Sequence, residues 1–322
     1  MRPFLRGNGA ILMFHRVRPR DPALIAASNH GNSIAPTLFA TLLDTLDAAG
    51  IDVVDLDEAQ ARLARPARPF VCLTFDDGYR DSFDTVLPLT AARKAPVIVF
   101  VAPGLIDGTA PLWWYGLDQA VARERTVKLG PLTLPTRTAA EKAAAYALVA
   151  QRILDDPSAC APIAAVLARD YGVDFAALAA AHMMSWAMVR EMASGNAAIG
   201  AHTLSHPALA CLPGDDATRE IAGSRTRLEH ETGRPVRHFA YPFGTAQAAG
   251  PREAALARDA GFSTAVTTRP GNLTAAHRAN PHTLPRYGIG PACSPALLRM
   301  KLSGILPAAT DLTRHRGGHS AA

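Results

Sequence analysis

No run of apolar residues in this 322-residue sequence approaches the length of a membrane span. The longest, PVIVFVAPGLI at 96–106, is interrupted by Pro103 and Gly104, whereas a transmembrane helix takes about 18 or more continuous apolar residues. The amino-terminal stretch MRPFLRGNGAILMFHRV has an apolar centre, AILMF, too brief for a signal peptide, and no cleavage pattern follows it. It reads as a first buried strand, so a cytoplasmic protein is expected, with peripheral membrane association left open. Cysteine is scarce: Cys72, Cys160, Cys211 and Cys293 lie far apart with no C-x-x-C pair, which excludes a thiolate zinc ribbon or a redox motif and predicts four single, buried or half-buried thiols. Lysine occurs only at Lys94, Lys128, Lys142 and Lys301. The net charge of +5 is therefore carried by arginines scattered along the chain, with no aromatic-interleaved basic cluster to make a nucleic-acid groove. Internal repeats are absent as well.

What is present is a folded chain's apolar content, 48%, arranged in alternation. After AILMFHRV come a polar stretch and a helical pattern, TLFATLLDTLDAAG, closed by Gly50 as a C-cap. Strand and helix then alternate strictly: IDVVDL, DEAQARLA, FVCLTF, SFDTVLPLTAARK with Pro88 inside it, and PVIVFV. Such alternation predicts parallel βα units. It stops near residue 108. LWWYGLDQAVARE reads as a helix, TVKLGPLTLP as a hairpin, and alanine-rich helix occupies roughly 138–194. The rhythm resumes with AAIGA, a helix near 215–232, RHFAYPFG, a helix near 251–260, STAVTT and TLPRYGI. Seven or eight strands suit a closed or nearly closed barrel. The expectation is an α/β chain with one domain over 1–310, a helical insertion at about 108–190, and a disordered tail at 311–322.

Two places carry chemistry. LTFDDGYRDSF sets Asp76 and Asp77 side by side at the end of an apolar run and against Gly78. Adjacent residues of a strand face opposite ways, so the two carboxylates share a site only where the strand ends and the chain turns. The alternative is a plain turn whose aspartate caps the next helix. GAHTLSHPAL places His202 and His206 four residues apart after the strand AAIGA. On one helical turn such a pair faces a single point and can hold a zinc-like ion, or it can serve as cap and core. Joined to Asp77 it makes two imidazoles and one carboxylate, a ligand set with positions left for water.

These residues resemble the motifs of a known family, the polysaccharide deacetylases of the nodulation-protein type, carbohydrate esterase family 4. T-F-D-D-G stands at Thr74 to Gly78 and H-[ST]-x-x-H at His202 to His206. The resemblance implies a distorted (β/α)7-type barrel and the removal of N-acetyl groups from sugars. It implies Asp76 as catalytic base and Asp77, His202 and His206 as ligands of a divalent metal, zinc first, with cobalt, manganese or nickel as alternatives. Two departures stand out. The family's R-x-P-Y is replaced by AYPF, with Ala240 at the arginine position and Phe243 at the tyrosine, and no L-x-H occurs near the carboxyl terminus. A branch resembling the poly-N-acetylglucosamine deacetylases carries its acid histidine in a front Y/F-H-x-V motif beside Y-P-[YF]-G. MFHRV and Tyr241 to Gly244 match both. The match implies His15 as the acid; the wider family's pattern implies the Phe243 backbone N–H as oxyanion donor, and Arg286 of LPRY is a candidate to replace the missing arginine beside Asp76.

The substrate implied is an N-acetylated carbohydrate. Tyr241, Trp113 and Trp114 are candidate sugar contacts, the tryptophans equally candidates for packing. Trp186 reads as core at a helix start, and His30, His182, His230, His238 and His282 are given no function. Two rivals remain at this stage: an amidohydrolase of the same fold acting on a small amide or a lipid-linked sugar, and a non-catalytic carbohydrate-binding relative.

Overall fold

The computed structural model describes residues 9–19, 31–65, 67–195 and 197–303; the expected tail at 311–322 and His30 lie outside them. The strands in chain order are β1 (Gly9–Phe14), β2 (Arg16–Val17), β3 (Ser33–Ile34), β4 (Asp52–Val53), β5 (Phe70–Phe75), β6 (Val97–Val101), β7 (Thr126–Leu129), β8 (Leu132–Pro135), β9 (Ala197–Ala201), β10 (His238–Ala240), β11 (Thr264–Val266) and β12 (Tyr287–Gly288). β5 and β6 are buried along their whole length, as continuous apolar runs covered on both faces should be.

The main sheet is parallel, in the order β11-β10-β9-β6-β5-β1-β12, with β4 beside the start of β5. Its two ends meet. Leu284 bridges to Val266, its N–H donating to Ala265 O at 3.0 Å while Thr267 N–H donates back at 2.9 Å. A few residues on, Tyr287 and Gly288 pair with Leu12 and Met13 of β1. The segment 284–289 thus joins both edges and the sheet curls into a distorted barrel.

Side-chain parity divides the core. Ile11, Cys72, Ile98, Phe100, Ala240 and Val266 gather on one side of the sheet, whereas Leu12, Phe14, Leu73, Phe75, Val99, Val101 and Phe239 pack with the helices outside. The outer helices include Pro36–Ala48, Gly214–Thr232, Pro251–Asp259 and Pro295–Leu302. Between β6 and β9 the chain builds a second apolar cluster from the helices Trp113–Arg123, Ala139–Asp155, Cys160–Tyr171 and Phe175–His182 and the β7–β8 hairpin. The alanine-rich stretch is divided rather than continuous, since Pro157 and the left-handed Gly172 interrupt it. A π-helical turn, Ser82–Val86, precedes the short helix Leu87–Ala91, whose first turn carries Pro88. Cys72 and Cys293 are buried and Cys160 is half-buried, but Cys211 is exposed, because it ends a surface 3-10 turn. Among the described residues no helix is long and apolar enough to cross a membrane.

Inside the barrel Gly200 of β9 yields its space to the Phe100 ring, and a Cβ there would lie 2.4 Å from Phe100 Cδ1. Gly200→Ala is expected to destabilise the protein by about 1–3 kcal/mol through overpacking. A chemical-denaturation midpoint equal to that of the wild type would refute that packing.

Candidate active site

β5 ends at Phe75, and Asp76 N–H still donates to Phe14 O of β1 at 3.0 Å. The next two residues, Asp77 (φ 75°) and Gly78 (φ 85°), are left-handed. That turn breaks the strand's alternation, so both carboxylates line the same cleft, buried at 2% and 5% exposure. Neither serves as a helix cap. Asp81, at the start of the following helical turn, instead accepts from Arg16 Nε at 3.0 Å.

Asp76 is gripped by Arg286. Nη1 and Nη2 donate to its two oxygens at 2.7 Å each, Nη1 also reaches Thr74 Oγ1 at 3.1 Å, and Nε donates to Thr267 O at 2.8 Å. Ala240 occupies the position where the family motif has arginine, and a residue 46 positions later in the chain supplies the guanidinium beside Asp76. Burial opposes the charge on Asp76, but the Arg286 guanidinium, the nearby His202 ring and the Arg286 hydrogen bonds outweigh it. The carboxyl is held below its usual range.

Asp77 lives differently. Its Oδ1 lies 3.3 Å from both His202 Nε2 and His206 Nε2. The His202 Nδ1–H donates to Ala240 O at 2.7 Å, which leaves the Nε2 lone pair aimed at a carboxylate oxygen that is buried without a hydrogen-bond donor among the described residues. Three bare donor atoms converging in this way fit a divalent cation, and together Asp77, His202 and His206 could hold one. The field agrees. Despite burial, the histidine contacts keep Asp77 well below the usual carboxylate range, and despite burial the two aspartates raise His202.

The histidines do not lie on a helical turn, contrary to the expectation from their spacing. Residues after β9 form an irregular loop in which Thr203 (φ 62°) and His206 (φ 64°) are left-handed, and Thr203 Oγ1 accepts from His206 N–H at 3.0 Å. Phe243 is left-handed too (φ 61°). Its carbonyl accepts from Thr268 Oγ1 at 2.7 Å, and its ring stands 5.2 Å from that of His206.

The cleft measures about 510 Å³ and its walls include His15, Trp113, Trp114, Phe243 and Arg286 as well as the two aspartates and two histidines. Tyr241 is not among them. Its side chain is 1% exposed, packs edge-on against Phe239, and donates its hydroxyl to His282 O at 2.9 Å, so direct sugar contact by Tyr241 is corrected to a core role. Trp186 is half-buried at a helix start, with Nε1 on Asp107 at 2.7 Å. Sequence reasoning missed a set beside His15. Arg16 donates to Tyr115 OH at 2.6 Å and lies 3.2 Å from His182 Nδ1, its guanidinium 4.4 Å above the Tyr79 ring. Tyr79 in turn accepts from Trp114 Nε1 at 3.0 Å. Arg16 lay inside the quoted MFHRV, but nothing in spacing tied it to residues 79, 115 and 182.

Residues 64–265 match the model of a family described as polysaccharide deacetylase. No curated protein sequence matches the chain. Among solved structures the fold is similar to that of a Streptococcus pyogenes deacetylase, PplD, in complex with acetate, at 20% identity and a TM-score of 0.62, covering 91% of this chain and 97% of that one. It is likewise similar to IcaB from Ammonifex degensii, at 20% identity and a TM-score of 0.58, covering 93% and 99%. A de-N-acetylase from Aggregatibacter actinomycetemcomitans matches at 14% identity and a TM-score of 0.57, covering 91% and 99%.

Removing the guanidinium strands a buried carboxylate. Arg286→Ala is expected to cost about 3–5 kcal/mol at neutral pH. The paired Asp76 has a depressed pKa, so its contribution is fully present above the unfolded value and lost only below it; the unpaired carboxyl of the variant, still buried, is pushed up instead, so the variant is relieved by protonation already above that value. The stability gap between the two proteins should therefore narrow on acidification, and a gap that is constant from neutral pH to about pH 4 would show that Asp76 does not carry it.

Proposed function

The chain belongs to the polysaccharide deacetylase family, and from that premise we propose that it hydrolyses the acetamide of an N-acetylated sugar with a divalent metal, zinc first, held by Asp77, His202 and His206. The observation that carries this reading is the contrast between neighbouring carboxylates: Asp77 faces two imidazole nitrogens, while Asp76 is held by a guanidinium and kept ionised. Bound there, the ion supplies Lewis acidity, acidifying a water and drawing charge from the carbonyl oxygen.

This chain's residues would do the rest. Asp76 accepts the proton of the attacking water; each of its oxygens accepts one Arg286 N–H and keeps a second lone pair. The Phe243 amide donates to the oxyanion as the carbonyl carbon becomes tetrahedral, in a turn fixed by Thr268. His15, at the end of β1 and on the cleft wall, gives a proton to the nitrogen as the C–N bond breaks, leaving acetate and a free amine. Arg286 orients Asp76 and stabilises its charge. Trp113 and Trp114, buried at 5% and 8%, offer their edges and faces to the sugar from the layer between β6 and β9. We take the chain as one barrel domain carrying that layer as its insertion, and place it with the branch whose acid histidine stands at the front.

Acetate release from N-acetylglucosamine oligomers, measured with metal-stripped protein refilled with zinc or cobalt, tests the scheme. Asp76→Asn should keep the metal and lose about 10²–10⁴ in turnover, the usual worth of a general base, whereas His206→Ala should lose metal. Near-normal acetate release by Asp76→Asn refutes the assignment; a metal-loaded protein inactive on every oligomer moves the substrate to a small amide or a lipid-linked sugar.

A further inference from the structure

We propose that Glu220 is a positioning residue for the metal centre. From the helix Gly214–Thr232 its carboxylate holds the loop between the two histidines in the conformation that aims His206 at Asp77. The inference rests on the reading of Asp77, His202 and His206 as cation ligands.

The two histidines are oriented by different means. His202 is fixed at both ends, its backbone N–H on Val101 O at 3.0 Å and its Nδ1–H on Ala240 O at 2.7 Å. A ligating histidine ordinarily has its second nitrogen bonded in this way, which sets the ring's orientation. His206 has no such bond: its Nδ1 is buried without a hydrogen-bond partner among the described residues. The direction of Nε2 must then come from the rings beside it and from the backbone, and that backbone is strained, with Thr203 and His206 both left-handed although neither is glycine.

Glu220 meets this loop at its centre. One carboxylate oxygen accepts from Leu204 N–H at 2.8 Å and Ser205 N–H at 2.9 Å, and the other accepts from Ser205 Oγ at 2.6 Å. Gly104 N–H grips Leu204 O from the opposite side at 2.8 Å, at a position where a Cβ would lie 2.7 Å from that oxygen. Gly223, three residues after Glu220 on the same helical face, leaves room for the Leu204 side chain, which a Cβ would meet at 2.7 Å. The helix therefore seats residue 204 by backbone, carboxylate and side chain together. Two left-handed residues flank this anchor, and His206 follows from it.

The test is zinc affinity of the full chain, by competition with a chromophoric chelator, beside the melting temperature of the metal-free protein. Glu220→Asp keeps the charge but shortens the reach, and should weaken zinc binding about 10–100-fold, the usual effect of disturbing an outer partner of a metal site. Glu220→Gln keeps the reach and the acceptor oxygen without the charge, and should bind zinc much as the wild type does. Wild-type affinity in Glu220→Asp, with or without a lower melting temperature, overturns the proposal, as does a Glu220→Gln protein that binds as weakly as Glu220→Asp, because charge rather than position would then be responsible. A wild-type chain that takes up no zinc refutes the metal reading itself.

Discussion

Arg286 has no exposed surface, and a guanidinium so deeply buried is tolerable only when nearly every N–H finds an acceptor. Here they do so across two parts of the chain: Thr267 just after β11, and Thr74 and Asp76 at the end of β5. Arg286 itself sits in the segment that closes the barrel between β11 and β1. A single ion pair thus ties the closing seam to the strand that carries both carboxylates. It also separates their chemistry, since the oxygens of Asp76 are committed to a guanidinium while Asp77 Oδ1 is left facing two imidazoles. The stability of the closure and the ionisation of the proposed base are properties of one contact.

Much of the architecture was legible because it rests on periodicity. FVCLTF and PVIVFV are apolar at every position and became strands buried on both faces, and Gly50, expected as a C-cap, is left-handed just past the helix Pro36–Ala48. Parity also bears on Tyr241. In FAYPF, Phe239 and Tyr241 share one side of the strand and Ala240 the other, so Tyr241 belonged with the outer core from the start. The Arg16 set was beyond reach for a different reason. Its partners Tyr79, Asp81, Tyr115 and His182 come from three separated segments, and only tertiary packing brings them together.

The histidine pair shows where spacing misleads. Four residues apart suggests a helical turn, yet the loop reaches convergence through left-handed backbone at Thr203 and His206. Of the five non-glycine residues with positive φ among those described, Asp77, His206 and Phe243 border the cleft, Thr203 is buried in the loop that carries His206, and only Lys94 lies elsewhere. Such conformations cost about 1–3 kcal/mol each, and a sequence gives no hint of them when the residue is not glycine. Strain is concentrated where function needs side chains at positions that glycine would otherwise fill.

That strain requires rigid surroundings, and the surroundings come from more than the barrel. The His206 ring lies 5.6 Å from Trp114 on one hand and 5.2 Å from Phe243 on the other. Trp114 is itself fixed by its bond to Tyr79 OH, and the Tyr79 ring by the Arg16 guanidinium above it. Arg16 directly follows His15, so a chain of contacts runs from the end of β1 through Tyr79 and Trp114 to a proposed metal ligand. The layer between β6 and β9 is therefore part of the site's framework as well as its wall: it packs on its own apolar cluster, and the first turn of its helix Trp113–Arg123 helps to brace a histidine whose Nδ1 has no hydrogen-bond partner among the described residues.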